Sequence, residues 1–178
     1  MGHNTGRKQL MPVEVEPTHR FQPPTNVQFS VFLDMRVGRL LELLEVFEGH
    51  ALTVAGLSVV DATDHAVVRI LTSSSDLARR LLERHHLPYS ESDVLVVEVT
   101  ANQTLSDMCT CLLNAELNIH YIYPLLVRPR GHAAVAMQVD DYVMSGQLLR
   151  KQMFTVLGEN DLGDNATGSD PLSQPPEN

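Results

Sequence analysis

The apolar pattern of the first half of the chain returns in the second. Leu40 recurs as Leu105, Leu44 as Cys109, Phe47 as Leu112 and Val54 as Ile119, each 65 positions on. His65 recurs as His132, 67 positions on, which puts two extra residues into the second copy's hairpin. A repeat of this length means two copies of one supersecondary unit. The 178 residues must therefore form a unit that can be built twice and joined to itself.

Each copy spells out its elements. Val27, Phe29, Val31 and Leu33 alternate with Gln28, Ser30 and Asp34, which predicts a strand. Leu40, Leu43, Leu44 and Phe47 form a stripe opposite Glu42, Glu45 and Glu48, which predicts a helix over 39–48 ending on Gly49. Strands follow over 52–60 and 66–71, divided by a turn-rich 61–64. Ser73–Ser75 offer N-caps for a helix with Leu77, Ala78, Leu81 and Leu82 inward, closed by Pro88 and followed by a short strand at 89–91. The second copy reads as a strand over 94–99 and a helix with Leu105, Met108, Cys109 and Leu112 inward. Strands over 117–127 and 133–139, a helix over 141–151 and a strand over 153–157 follow.

The order β-α-β-β-α-β is the ferredoxin-like unit, an α+β arrangement. Right-handed crossovers put both helices on one face of an antiparallel sheet of strand order 4-1-3-2, with strand 2 at an edge. Pro124 falls inside the second copy's strand 2, and proline is tolerated at an edge. The expected domains are 27–92 and 93–160. Residues 1–26, with prolines at 12, 17, 23 and 24, and the polar 161–178 are expected to be disordered tails.

Composition narrows the function. No apolar run approaches the roughly 18 residues of a membrane span, and the N-terminus has no apolar signal core. Gly6 stands where a myristoylation signal needs Ser or Thr. A cytoplasmic chain without membrane contact is expected. With a net charge of −9 and its densest basic group, Arg79, Arg80 and Arg84, on a solvated helix face, it is not expected to bind nucleic acid. Cys109 and Cys111 are two apart on a helix, face different ways, and read as small core residues. The adjacent His85 and His86 also diverge and make no metal pair. Nucleophile-elbow, phosphate-loop, dinucleotide and zinc-protease motifs are all missing. No enzyme, cofactor or metal site is expected.

One loop carries a likeness. A strand ending near Asp34, then Arg36-Val37-Gly38-Arg39-Leu40 and a leucine-rich helix, with Asn118-Ile119 opening strand 2 of the other copy, resembles the ACT domain. That family's loop commonly reads Asn/Asp-x-Pro-Gly-x-Leu, and its second strand often begins Asn-Ile. The whole of 27–160 is similar to a tandem ACT pair. The resemblance implies two domains side by side in one continuous antiparallel sheet, strand 2 against strand 2, with helices on one face. It also implies an amino-acid effector between the loop of one domain and strand 2 of its neighbour. A helix start offers N–H groups and a positive dipole end to a carboxylate, and a glycine lets a ligand approach the backbone.

The chain departs from the family pattern unevenly. Val37 replaces the proline, and Met35 stands where a polar side chain is usual. In the second copy Gln103 takes the glycine position, and the first copy opens strand 2 with Thr53-Val54. The better halves therefore form one expected site, Met35, Arg36, Val37, Gly38, Arg39 and Leu40 with Asn118, Ile119 and His120, beside a degenerate second one. Gly38 also has a plainer reading as a tight turn, Asn118 as a local backbone tie and His120 as a core or surface residue. Met35, Val37 and Leu40 point to an apolar amino acid. The expected function is a non-catalytic allosteric sensor, homodimeric through open strand edges, with a metabolic enzyme as partner. The rival is a ligand-free interaction subunit resembling the regulatory subunit of acetolactate synthase, although a second ACT-like copy replaces that subunit's further C-terminal domain.

Overall fold

The computed structural model describes residues 23–61 and 65–163, so most of both expected tails lies outside the described residues. The first copy comprises β1 (Asn26–Asp34), α1 (Arg39–Glu45), β2 (Val54–Asp61), β3 (His65–Thr72) and α2 (Ser75–Arg84). A long β4 (Tyr89–Val99) follows. The second copy continues with α3 (Leu105–Leu113), β5 (Ile119–Pro124), β6 (Ala133–Val139), α4 (Tyr142–Lys151) and β7 (Val156–Leu157). The sheet runs β2-β3-β1-β4-β6-β5, with β7 also on β4, and every pairing is antiparallel. Each copy has the 4-1-3-2 order that its sequence predicts, and strand 2 is at the edge in both.

The strands expected at 89–91 and 94–99 are one element. The first half of β4 pairs with β1, from Val31↔Tyr89 to Asn26↔Val94. Its second half pairs with β6, from Leu95↔Met137 to Val99↔Ala133, and with β7. The polar Glu91-Ser92-Asp93 resembles a break, yet the alternation runs through it. Tyr89, Leu95 and Val97 share the helix-covered face, while Val94 and Val96 share the other. One strand thus serves as the last of the first copy and the first of the second, and the boundary expected at 92/93 falls inside it.

That shared strand explains the shape. Apolar residues on the helix-covered face form one cluster under α1 and α2 and another under α3 and α4. The sheet then curls so that its uncovered faces meet. Ala55 and Leu71 pack there with Val94, Val96, Tyr123, Ala134, Ala136 and Leu157. Strand 2 does meet strand 2, but at one point. Gly56 bridges Leu125, and the Leu126 N–H donates to the Ala55 carbonyl at 2.8 Å. Gly56 permits this approach, since a Cβ there would lie 2.9 Å from Leu125 Cδ2 and 3.1 Å from Tyr123 Cε2.

Several boundaries move for local reasons. Helix α1 ends at Glu45 rather than 48, because Phe47 and Glu48 donate to carbonyls three residues back and tighten the last turn. The strand expected at 153–157 keeps two residues, because the Met153 and Phe154 N–H groups finish the end of α4 on Arg150 and Leu149. Cys109, expected inside, is exposed, while Cys111 is half-buried and burial pushes its thiol pKa up.

The expected tails also reach too far into the fold. Asn26 is fully buried and its side-chain amide donates to the Leu157 carbonyl at 2.8 Å. The Tyr142 hydroxyl donates to the Pro24 carbonyl, and burial pushes that phenol up to about 12. At the other end Leu162 is fully buried, and the Glu159 carboxylate accepts from the Ser75 N–H at 2.6 Å at the start of α2. Each terminal segment therefore crosses onto the other copy, which no pattern within one copy reveals.

Candidate functional site

The site grows from the exit of β1. The Arg36 N–H turns back to the Asp34 carbonyl at 2.8 Å, and the exposed Arg36 guanidinium meets the Asp34 carboxylate at 3.2 Å. Gly38 then takes φ +91°, a left-handed conformation that costs other residues strain. Among the described residues, chain neighbours aside, no atom lies within 4 Å of where its Cβ would be, so the glycine answers a backbone need. Its carbonyl accepts from the Glu42 N–H at 3.0 Å and starts α1. That helix has only seven residues, which limits the help its dipole gives an anion.

Beneath the loop is a cavity of about 370 Å³. Asp34, Met35, Arg36, Val37, Arg39 and Leu40 line it on the loop side. Leu33, Val59, Ala66 and Val68 form the strand side. Val59 and Val68 are cross-strand partners on the helix-covered face. The charged groups all come from the end of β1, the loop and the start of α1. The Arg39 side chain is 25% exposed and pairs with Glu42. Its Nε is buried with no hydrogen-bond partner among the described residues. Met35 and Val59 are half-exposed or more, and Val37 stands wholly exposed at the rim.

Of the nine expected site residues, Met35, Arg36, Val37, Arg39 and Leu40 line this cavity, and Gly38 shapes the loop without lining it. Asn118, Ile119 and His120 are not among the lining residues. The Asn118 N–H donates to Asp140 Oδ2 at 3.1 Å, Ile119 packs against the core under α3 and α4, and His120 Nε2 lies 2.9 Å from Asp140 Oδ1. Sequence reasoning missed Val59, Ala66 and Val68. Their signal was available in strand alternation, which puts Val59 with Leu57 and Val68 with Ile70.

The second copy's loop is closed upon itself. Thr100 and Gln103 exchange backbone hydrogen bonds at 3.0 and 3.3 Å, and the Gln103 amide donates to the Met153 carbonyl. Thr104 and Asp107 form a reciprocal cap, and the Thr104 hydroxyl and N–H hold the Asp107 carboxyl below its ordinary pKa. A cleft of about 270 Å³ lies beside them, with Gln103, Asp107, Thr110, Asn114 and Gln152 among its lining residues. Among the described residues no three His, Cys, Asp or Glu side chains gather to hold a metal ion, and no helix is long and apolar enough to cross a membrane.

A protein of Bacteroides thetaiotaomicron, known from its crystal structure, shares this fold. It superposes with a TM-score of 0.69 and 22% identity over 79% of this chain and 96% of that one. The ligand-free regulatory subunit of aspartate kinase from Thermus thermophilus gives a TM-score of 0.48 at 10% identity, covering 72% of this chain and 93% of that one. No curated protein matches the chain. A family model described as an ACT domain pair matches residues 24–164, which span the whole curled sheet. With that match over the fold just described, the chain belongs to the ACT family as an ACT domain pair.

Proposed function

We propose that this ACT pair is a non-catalytic regulatory protein that binds a small amino acid at the loop of its first copy. The observation that carries the reading is the cavity under residues 34–40, where groups of both charges stand beside an apolar wall. A free amino acid has the matching parts: an ammonium for Asp34, a carboxylate for Arg39 and a side chain for the wall. Gly38 sets the loop, while Asn118, Ile119 and His120 lie outside the cavity lining and would join the site from the second copy only in the ligand-bound state. For the ligand to regulate, it must bind one of two states better than the other. The seam between β2 and β5, where strand pairing is limited to one bridge, is the element placed to have two states.

One observation favours a ligand-free interaction subunit instead. Beyond the Gly56 bridge the outer edge of β2 pairs with nothing among the described residues, and Val59 and Val60 are exposed there. Unpaired edges accept partner strands. A thermal-shift screen of the purified chain against the twenty amino acids separates the two readings. A ligand at about 100 times its Kd adds roughly 2.7 kcal/mol. A selective rise in Tm from one amino acid or a related group is expected. If none shifts the midpoint while an enzyme co-purifies without added ligand, the interaction subunit is the correct reading.

A further inference from the structure

We infer that the ligand is an amino acid with an uncharged, apolar side chain of valine-to-methionine size, and that this side chain sits in the first copy's own cavity against β2 and β3. The inference rests on the amino-acid reading above and specifies the ligand class and the wall that selects it.

The division of chemistry within the cavity carries the argument. Its charged lining residues, Asp34, Arg36 and Arg39, all lie in the segment from the last residue of β1 to the first of α1, while β2 and β3 contribute only Val59, Ala66 and Val68, with Leu33 of β1 beside them. A zwitterionic head placed at the loop sends its side chain toward that wall. A charged or hydroxylated side chain there would lose water and gain no partner. A methylene-rich one loses nothing and covers apolar surface. The volume of about 370 Å³ lies near the lower end of the roughly 300–1,000 Å³ range of small-molecule sites, which suits an amino acid.

The rim supports the same class. Val37, Met35 and Val59 are 106%, 57% and 51% exposed, a cluster of open apolar side chains around one opening. Clustered exposure of this kind marks a binding surface. Arg39 adds a buried Nε without a partner among the described residues, a donor in a residue that lines the site. The cleft of the second copy has none of this character, since amides, a hydroxyl and a carboxylate dominate its walls.

The test is calorimetric titration of the full chain with L-leucine, L-isoleucine, L-valine, L-methionine, L-threonine, L-aspartate and L-lysine. One of the four apolar ligands is expected to bind tightest. Valine should exceed its near-isostere threonine by about tenfold or more, the order of discrimination a hydrophobic pocket gives against a hydroxyl. Val59→Asp, which puts a carboxylate into the wall, should raise Kd at least tenfold by the same reasoning. Val60→Asp, one residue along on the opposite face of β2, should leave it unchanged. Ala66→Leu fills the cavity from β3 and should shift preference from leucine toward valine, a readout that does not depend on Val59→Asp folding.

Tightest binding of aspartate, lysine or threonine overturns the inference while leaving the regulatory reading intact. So does an affinity that neither Val59→Asp nor Ala66→Leu alters. Absence of binding by all twenty amino acids overturns both.

Discussion

Gln28→Leu is expected to destabilise the chain by about 2–3 kcal/mol, since buried hydroxyls and amides left without partners cost about 1–3 kcal/mol each. Gln28 is fully buried on β1, on the face turned away from the helices. Its carbonyl oxygen accepts from the Tyr123 hydroxyl at 2.8 Å, and its amide donates to the Tyr121 hydroxyl at 2.6 Å. One side chain of the first copy thus holds two of the second. The Arg69 guanidinium lies 3.9 Å from the Tyr121 ring centroid and extends the cluster onto β3. Burial already pushes the Tyr123 phenol well above its ordinary pKa, so ionisation offers no escape near neutral pH. Leucine would fill the space and orphan the Tyr123 hydroxyl. Urea unfolding should show the loss, and Tm should fall by about 2–4 °C per kcal/mol for a chain of this size. Adding Tyr123→Phe should restore part of the stability, because removing both partners is milder than removing one. Equal stability of Gln28→Leu and the parent would mean that the uncovered faces do not meet as described.

Gly146→Ala should be destabilising, against the usual direction for a helix interior. In a solvent-facing helix, alanine gains about 1 kcal/mol over glycine. Gly146 lies buried in α4, and a Cβ there would sit 2.6 Å from Pro23 Cβ, 2.8 Å from Pro23 Cγ and 3.2 Å from Leu95 Cδ2. Overpacking of this kind costs about 1–3 kcal/mol, enough to reverse the propensity gain. In a Pro23→Gly background the two nearest atoms are gone, and the same substitution should lose most of its cost, leaving the 3.2 Å approach to Leu95 Cδ2. A gain in stability from Gly146→Ala alone would show that the segment at Pro23 does not lie on α4.

These two residues mark where sequence was legible and where it was not. Alternation and helical stripes act between neighbours in the chain, so the elements and their repeat could be read directly. Pro124 on β5 fixed an edge by the same local logic. The curl could not be read this way, because alternation shows that a strand has two faces without showing what covers the second. Val94, Val96, Ala134 and Ala136 were the available signal, being apolar on the face away from the helices. Gln28 looked like a polar face residue, and only partners more than 90 positions away make it a clamp. The site divides in the same manner. The glycine turn and the loop residues 35–40 are local and legible. Val59, Ala66 and Val68 reach the cavity through strand pairing, and the tie of Asn118 and His120 to Asp140 spans a hairpin.

Amide chemical-shift mapping of the isotope-labelled full chain, titrated in turn with L-leucine, L-isoleucine, L-valine and L-methionine, reads out where an amino acid sits. Saturable shifts are expected at residues 34–41 together with Val59, Ala66 and Val68 of the following hairpin. Shifts confined to the 102–114 cleft, or no saturable shift with any of the four at millimolar concentration, would show that the ligand does not sit there.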